Sequence, residues 1–274
     1  MSFYISLSGL KGAQTDLGVV ANNVANVSSQ AFKKSKAMFG DIFAAGGVGA
    51  GGNGVRLAGI NQQFTQGTLE TTDKTLDLAI TGEGFFTVKG AGAGGSISYT
   101  RAGAFTMDKD RNVIDMTGAR LQVLPTLPQG NGTPTGTTAG DLSDLVIPTV
   151  DPNNAANPLA SVAISGKGVV SATYADGSVQ NLGVVAMAGF PAQDGLKQSG
   201  DAHWVATGES GAATYGAANT GSAGAIRSGT LERSNVDITE ELVALISAQR
   251  NFQANAKAIE TASTMTQAIV NLRS

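Results

Sequence analysis

The chain has 274 residues, of which 42% are hydrophobic and 14% charged, with a net charge of −3 and no cysteine. That length can bury a real core, the charge balance gives no support to nucleic-acid binding, and the absence of cysteine excludes disulfides and thiolate metal sites. Glycine is abundant at 37 residues and aromatics are only 5%, which points to short strands, many turns and broad packed contacts.

Residues 3–28 carry helical periodicity. Phe3, Leu10, Leu17 and Val24 are strictly seven apart, and Leu7, Ala13, Ala21 and Val27 fill the same side. This spacing predicts an amphipathic helix with a narrow seam. Asn22, Asn23 and Asn26 crowd its end, although Asn competes for nearby backbone groups and is a mediocre helix former. The start lacks the basic n-region and continuous apolar run of a secretory signal, and no run of 18 apolar residues predicts a membrane span. Export would then need a dedicated apparatus. Lys11, Lys33, Lys34 and Lys36 make this end locally basic, which reads as a solvated face or linker.

Residues 29–70 read as a connecting segment, with a flexible Gly loop at 44–54. Residues 71–236 read as an all-β domain, because "LDLAITGEGFFTVKG" and "VVSATYADGSVQNLGVVAMAGF" alternate apolar and polar residues between turn signals. Asp176-Gly177 predicts a type I′ hairpin turn, and "KGAGAGGS" (89–96) a hairpin loop. The Pro-, Gly- and Thr-rich stretch at 125–160 reads as a long excursion or a small insertion.

A second helix is predicted from near Ile238, capped by Asn235 or Asp237, with Glu240 and Glu241 in its first turn where negative charge suits the helix dipole. Leu242, Leu245, Ile246, Phe252, Ala256, Ile259, Met265, Ile269 and Leu272 line one side, and Ala248, Ala254, Ala258 and Ala262 form a strip of small residues. Some 35 helical residues would make a rod of about 50 Å. The expected fold is mixed α and β: residues 1–28 and 237–274 form a coiled-coil-like helical domain, with an all-β domain inserted between them. Two helices alone have too little interior to shelter both seams. The termini are therefore expected to be completed by neighbouring subunits.

Nothing in the chain makes a case for catalysis, a cofactor or a metal. His203, beside the only Trp, reads as structural. "TGEGFF" (81–86) lacks the third Gly of a dinucleotide loop and leads into a strand. "DKDRN" (108–112) has Val113 and Ala119 where a calcium loop needs Gly and Glu, and reads as a polar hairpin turn. "AISGKG" (163–168) lacks a strand–loop–helix context.

Three blocks resemble the axial proteins of the bacterial flagellum, the hook and rod subunits. They are "LSGLKGAQTDLGVVANNVANVSSQAFKKSKAMFGDIF" (7–43), "QGTLETTDKTLDLAITGEGFFTVKG" with "YTRAGAFTMD" (66–108), and "GAIRSGTLERSNVDITEELVALISAQRNFQANAKAIETASTMTQAIVNL" (224–272). The first ten residues, the short connection and "DRNVIDMTGARLQVLP" look more like a hook subunit, while the length is closer to a distal rod subunit. The resemblance implies terminal helices lining a central channel, an outer β layer, and a joining segment touching neighbouring subunits. It implies unfolded export by the flagellar type III apparatus. The implied partners are other copies of the chain and other axial proteins (rod, hook cap, hook–filament junction), with no nucleic acid and no membrane insertion. The place would be the extracellular hook or, alternatively, the periplasm-spanning rod. The implied polymerisation interface is Leu7, Leu10, Leu17, Val24, Asn22, Asn23, Asn26, Leu242, Leu245, Phe252, Ile259 and Ile269, with the Asn amides bonding the turn or adjacent subunits. A secreted adhesin-like module that merely dimerises through its helices is the competing reading.

Overall fold

A computed structural model of the chain describes residues 2–43, 52–90, 94–126, 133–152 and 154–271. Most of the Gly loop expected at 44–54, the tip of the loop at 89–96, residues 127–132 of the excursion and Leu272 lie outside the described residues. The chain divides into two units, one of residues 1–28, 33–64 and 236–274, the other of residues 29–32 and 65–235.

The first unit holds α1 (Ser2–Ala25), β1 (Ser35–Phe43), β2 (Gly52–Gln62) and α2 (Ile238–Asn271). Asp237 Oδ1 accepts from the backbone N–H of Thr239 and Glu240, so Asp237 rather than Asn235 caps α2. α1 and α2 run antiparallel: Asn23 meets Glu241 at one end, and further along a Cβ added to Gly9 would lie 2.6 Å from Asn255 Oδ1. Where a linker was expected, β1 and β2 form an antiparallel hairpin, with Ser35 opposite Gln62 and Asp41 opposite Val55. Phe39 and Val55 of this hairpin lie beside Gly12 of α1.

The second unit is all β. Its first part carries β3 (Leu69–Thr71), β4 (Leu78–Thr81), β5 (Phe85–Lys89), β6 (Ile97–Thr100), β7 (Thr106–Met107), β8 (Val113–Ile114) and β9 (Arg120–Leu124). The excursion contributes β10 (Ser143–Asp144), β11 (Val150–Asp151) and the start of β12 (Asn154–Ile164). There follow β13 (Val169–Tyr174), β14 (Val179–Val185), β15 (Met187–Gly189), β16 (Lys197–Gly200), β17 (His203–Val205), β18 (Thr214–Gly216), β19 (Ala225–Ser228) and β20 (Thr230–Glu232). The main sheet runs β11-β12-β13-β14-β9-β5-β6-β17-β16, and β10 and β15 pair with β9 and β5. The last strands return to the first, β19 on β4 and β20 on β3.

β5 explains where the core sits. Its residues Phe85 to Val88 are all fully buried, so both of its faces are covered. Phe86 and Val88 join Leu78, Ile80, Leu121 and Val185 in the main core, and Phe85 points to the other side against Trp204 and Phe190. Gly82 and Gly84 before it both take positive φ, a conformation that needs Gly. "TGEGFF" is therefore a turn into a strand. The 175–178 turn differs from the expected type I′. Tyr174 N–H bonds Ser178 carbonyl and only Gly177, at φ +83, is left-handed. That is the three-residue loop with a Gly bulge. At 108–112 the polar hairpin turn forms between β7 and β8, with Arg111 left-handed.

Candidate assembly surface on the helical unit

The end of α1 is held by a buried polar junction. Asn23 is 1% exposed. Its Nδ2 donates to Ser35 carbonyl (2.9 Å) and to Glu241 Oε2 (3.1 Å), and its Oδ1 accepts from Ser35 N–H (3.0 Å). Glu241 Oε1 in turn pairs with Lys34 Nζ at 2.8 Å, and Glu240 Oε2 with the same amine at 3.2 Å. One amide thus joins α1, the start of β1 and the first turn of α2. Burial disfavours the charge on Lys34, but its bonds to Glu241 and Glu240 outweigh burial and raise its pKa. The solvated basic face expected here is corrected accordingly: Lys33 is buried and Lys34 is tied to α2, while Lys11 and Lys36 are exposed.

The three asparagines divide. Asn23 is the buried one, Asn26 Nδ2 donates to the carbonyl of Asn22, terminating the helix, and Asn22 is itself exposed. Of the apolar residues, Leu7, Leu10, Leu17 and Val24 on α1 and Leu245, Phe252 and Ile259 on α2 are half-buried. The deepest α1 positions are instead Ala13, Val19, Val20 and Asn23, and on α2 Glu241 and Ala248. Leu242 and Ile269 are exposed, at 44% and 65%. The small-residue strip splits too. Ala248 is buried and Ala262 half-buried, but Ala254 and Ala258 face outward, and Gly9 and Gly12 of α1 are the small residues at the close approaches.

Antiparallel pairing makes α2 outrun α1. Residues 263–271 of α2 are exposed throughout, an overhang of about 13 Å. It carries Met265, Ile269 and Val270, each more than 60% exposed, and Phe3, Tyr4 and Ile5 of α1 are exposed at the same end. Phe3, Ala258, Ala262, Met265 and Ile269 line one groove there. Neither residues 2–10 nor residues 261–271 contain a charged side chain. Among the described residues, this tip of the helix pair exposes large apolar side chains and no charged one. Nearer the start of α2, Ile238, Leu242, Val243 and Ile246 add a second exposed apolar strip.

The β unit buries two ion pairs. Arg101 Nη1 lies 3.8 Å from Glu232 Oε2, with both side chains almost wholly buried, Nη2 donating to Gly82 carbonyl and the guanidinium 5.3 Å from the Phe85 ring centre. Burial lowers the pKa of Arg101, and Glu232 acts in the opposite direction. His203 Nε2 lies 2.7 Å from Asp115 Oδ2, also buried. Among the described residues no three His, Asp or Glu side chains converge as a metal site, and no helix is long and apolar enough to cross a membrane.

Comparison with known proteins points one way. Residues 79–172 match the family model described as the flagellar hook protein FlgE/F/G D1 domain, and residues 227–272 the one described as flagellar basal body rod FlgEFG protein C-terminal. The flagellar hook protein FlgE of Escherichia coli K12 is 30% identical over 407 residues, covering 100% of both chains. Hook protein FlgE of Salmonella typhimurium LT2 is 29% identical over 408 residues, again with full coverage. The flagellar basal-body rod protein FlgG of Bacillus subtilis 168 is 36% identical over 289 residues, covering 99% of this chain and 98% of that protein.

Proposed function

Because the chain belongs to the family of bacterial flagellar hook and rod axial proteins, we propose that it is a subunit of the flagellar hook, polymerising into a helical tube that transmits motor torque as a flexible joint. The observation that carries the polymerisation is the charge-free tip of the helix pair. Met265, Ile269 and Val270 stand in water in the single subunit, and fully burying each such side chain is worth roughly 1.5–3 kcal/mol. Head-to-tail contacts that do not close give filaments rather than rings. The interface consists of the seam residues named above, with Leu242 and Ile269 free to meet a neighbour and Leu245, Phe252 and Ile259 presenting their uncovered sides. Other axial proteins at the two ends of the tube and the flagellar type III export apparatus are its further partners.

The hook-like first ten residues support the choice of hook; coverage is complete or nearly so for hook and rod relatives alike and does not separate them. A distal rod subunit is the second reading, and length favours it. The hook alignments run to 408 positions against a chain of 274 residues, whereas the rod alignment needs 289. On the hook reading this is a hook subunit without a large outer domain. Labelled antibody on isolated hook–basal bodies decides: label outside the outer membrane supports the hook, and label between the membranes assigns the rod. Electron microscopy of the concentrated protein tests the shared premise, with regular tubes expected. Discrete dimers would favour an adhesin-like module instead.

A further inference from the structure

His203 is the single histidine of a chain without cysteine, so its side chain is the one whose ordinary pKa lies nearest neutrality. It opens β17. The two-residue turn before it, Asp201 and Ala202, holds φ of +49° and +56°, following Gly200 at +98°. Two left-handed residues suit the twist of a tight hairpin, but Ala is strained there. Two contacts hold the turn. Thr100 Oγ1 donates to Ala202 carbonyl at 2.8 Å, and His203 Nδ1 lies 2.8 Å from Asp201 carbonyl. The other ring nitrogen reaches Asp115 Oδ2, in the β8–β9 turn, at 2.7 Å.

A carbonyl and a carboxylate only accept, so the ring satisfies both when it carries two N–H groups. Asp115 has its other oxygen filled by Thr117 N–H, Thr117 Oγ1 and Ala119 N–H. Burial favours its neutral acid, but His203 and these donors outweigh burial and hold it below the ordinary carboxylate value. Asp115 and Asp201 are the charged residues acting on the ring. Burial opposes its charge, yet its bonds to Asp115 and to Asp201 carbonyl prevail and raise His203 above its ordinary 6.5.

We propose that His203 is a proton-operated latch that ties the β16–β17 hairpin to the β8–β9 turn and releases it when the ring loses its proton. A neutral ring has one N–H and can serve one acceptor, not both. The hairpin lies at the edge of the sheet: within the described sheet β16 pairs with β17 alone and all four of its residues are exposed, while β17 is itself paired with β6. Since the folded-state value lies above the unfolded one, the latch contributes fully below pH 6.5 and is lost as pH rises through the raised value. An opened edge strand is a template for pairing with other chains.

Hydrogen exchange of residues 197–205 in the full chain at low concentration tests this, alongside the single histidine Cε1 proton resonance. The expected result is a resonance midpoint above pH 6.5, with intrinsic-rate-corrected exchange rising between pH 6.5 and that midpoint by about tenfold for each pH unit that separates them. His203→Gln, whose amide donates at every pH, should show no step. A midpoint at or below 6.5, a wild-type exchange rise absent or falling outside the window between 6.5 and the midpoint, or an equal rise in His203→Gln overturns the latch. If the variant does not fold, the wild-type exchange rise decides, since it must end at the pH of the resonance midpoint.

Discussion

Asn23 and Glu241 lie 218 positions apart in the chain and meet at 3.1 Å inside the helical unit. The same Asn23 amide holds both backbone groups of Ser35. Three elements distant in sequence close on one side chain, and none of its polar atoms faces water. Asn23→Ala removes the amide and leaves Ser35 N–H and C=O without it, which costs about 1–3 kcal/mol. Glu241→Ala should cost as much, because it also removes the nearer of the two carboxylates paired with Lys34. The double variant should cost less than the sum, with a coupling energy of about 0.5–3 kcal/mol. Chemical denaturation followed by far-ultraviolet circular dichroism measures all three. Strict additivity would show that the junction contributes no coupling.

Arg101 and Glu232 are the buried pair of the β unit. Glu232 Oε1 also accepts from Gly67 N–H at 2.9 Å. Removing one partner strands the other charge out of water, so Arg101→Met alone should cost about 3–5 kcal/mol. Arg101→Met combined with Glu232→Gln removes both charges and keeps an acceptor for Gly67. It should recover most of that loss, as read by thermal unfolding of the β unit.

Two glycines should respond oppositely to the same change. A Cβ on Gly103 would overlap the carbonyl of Leu78, itself fully buried at the start of β4. Gly103→Ala must push backbone apart and should cost about 1–3 kcal/mol. Gly18 is an exposed helical residue of α1 with nothing within 4 Å of an added Cβ. Gly18→Ala should stabilise the isolated subunit by about 0.5–1 kcal/mol. If that variant is more stable yet polymerises poorly, the face bearing Gly18 is packed against a neighbour in the tube.

Sequence periodicity reached some of this and missed the rest for definite reasons. α1 and α2 were legible because Phe3, Leu10, Leu17 and Val24 repeat at helical spacing, and the start of α2 because Asp237 precedes two acidic residues. The β1–β2 hairpin was not. Its apolar residues Met38, Leu57 and Ile60 are exposed, so no buried face imposes the period-2 pattern that marks a strand, and the neighbouring glycines suggest a loop. The basic cluster misled because charge runs are usually solvated, while the partner of Lys34 lies two hundred positions away. Asn23 had a visible anomaly, a weak helix former within a helix, but its partners are long-range. The heptad register likewise marks which faces are apolar without saying which of them the chain covers itself. Leu245 and Phe252 are half-buried in the single subunit, and Leu242 and Ile269 are exposed.

That last division supplies the test of the free end. Residues 263–271 extend past the start of α1, and Met265, Ile269 and Val270 there are exposed. Among the described residues, deleting residues 263–274 therefore removes only exposed ones. Its unfolding free energy should move by no more than about 0.5 kcal/mol, as for a surface change, and Asn23, Glu241 and Gly9 should keep their partners. Polymerisation should nevertheless fail, because the charge-free tip is gone. Sedimentation of concentrated protein measures this, with the full chain pelleting and the truncated one staying in the supernatant. A milder version replaces Ile269 with Lys, which leaves the helix length unchanged and puts a charge into a surface that needs to be dry. If both variants pellet as well as the full chain, the tip is no contact, and the strip of Leu242, Val243 and Ile246 is then the surface that drives assembly.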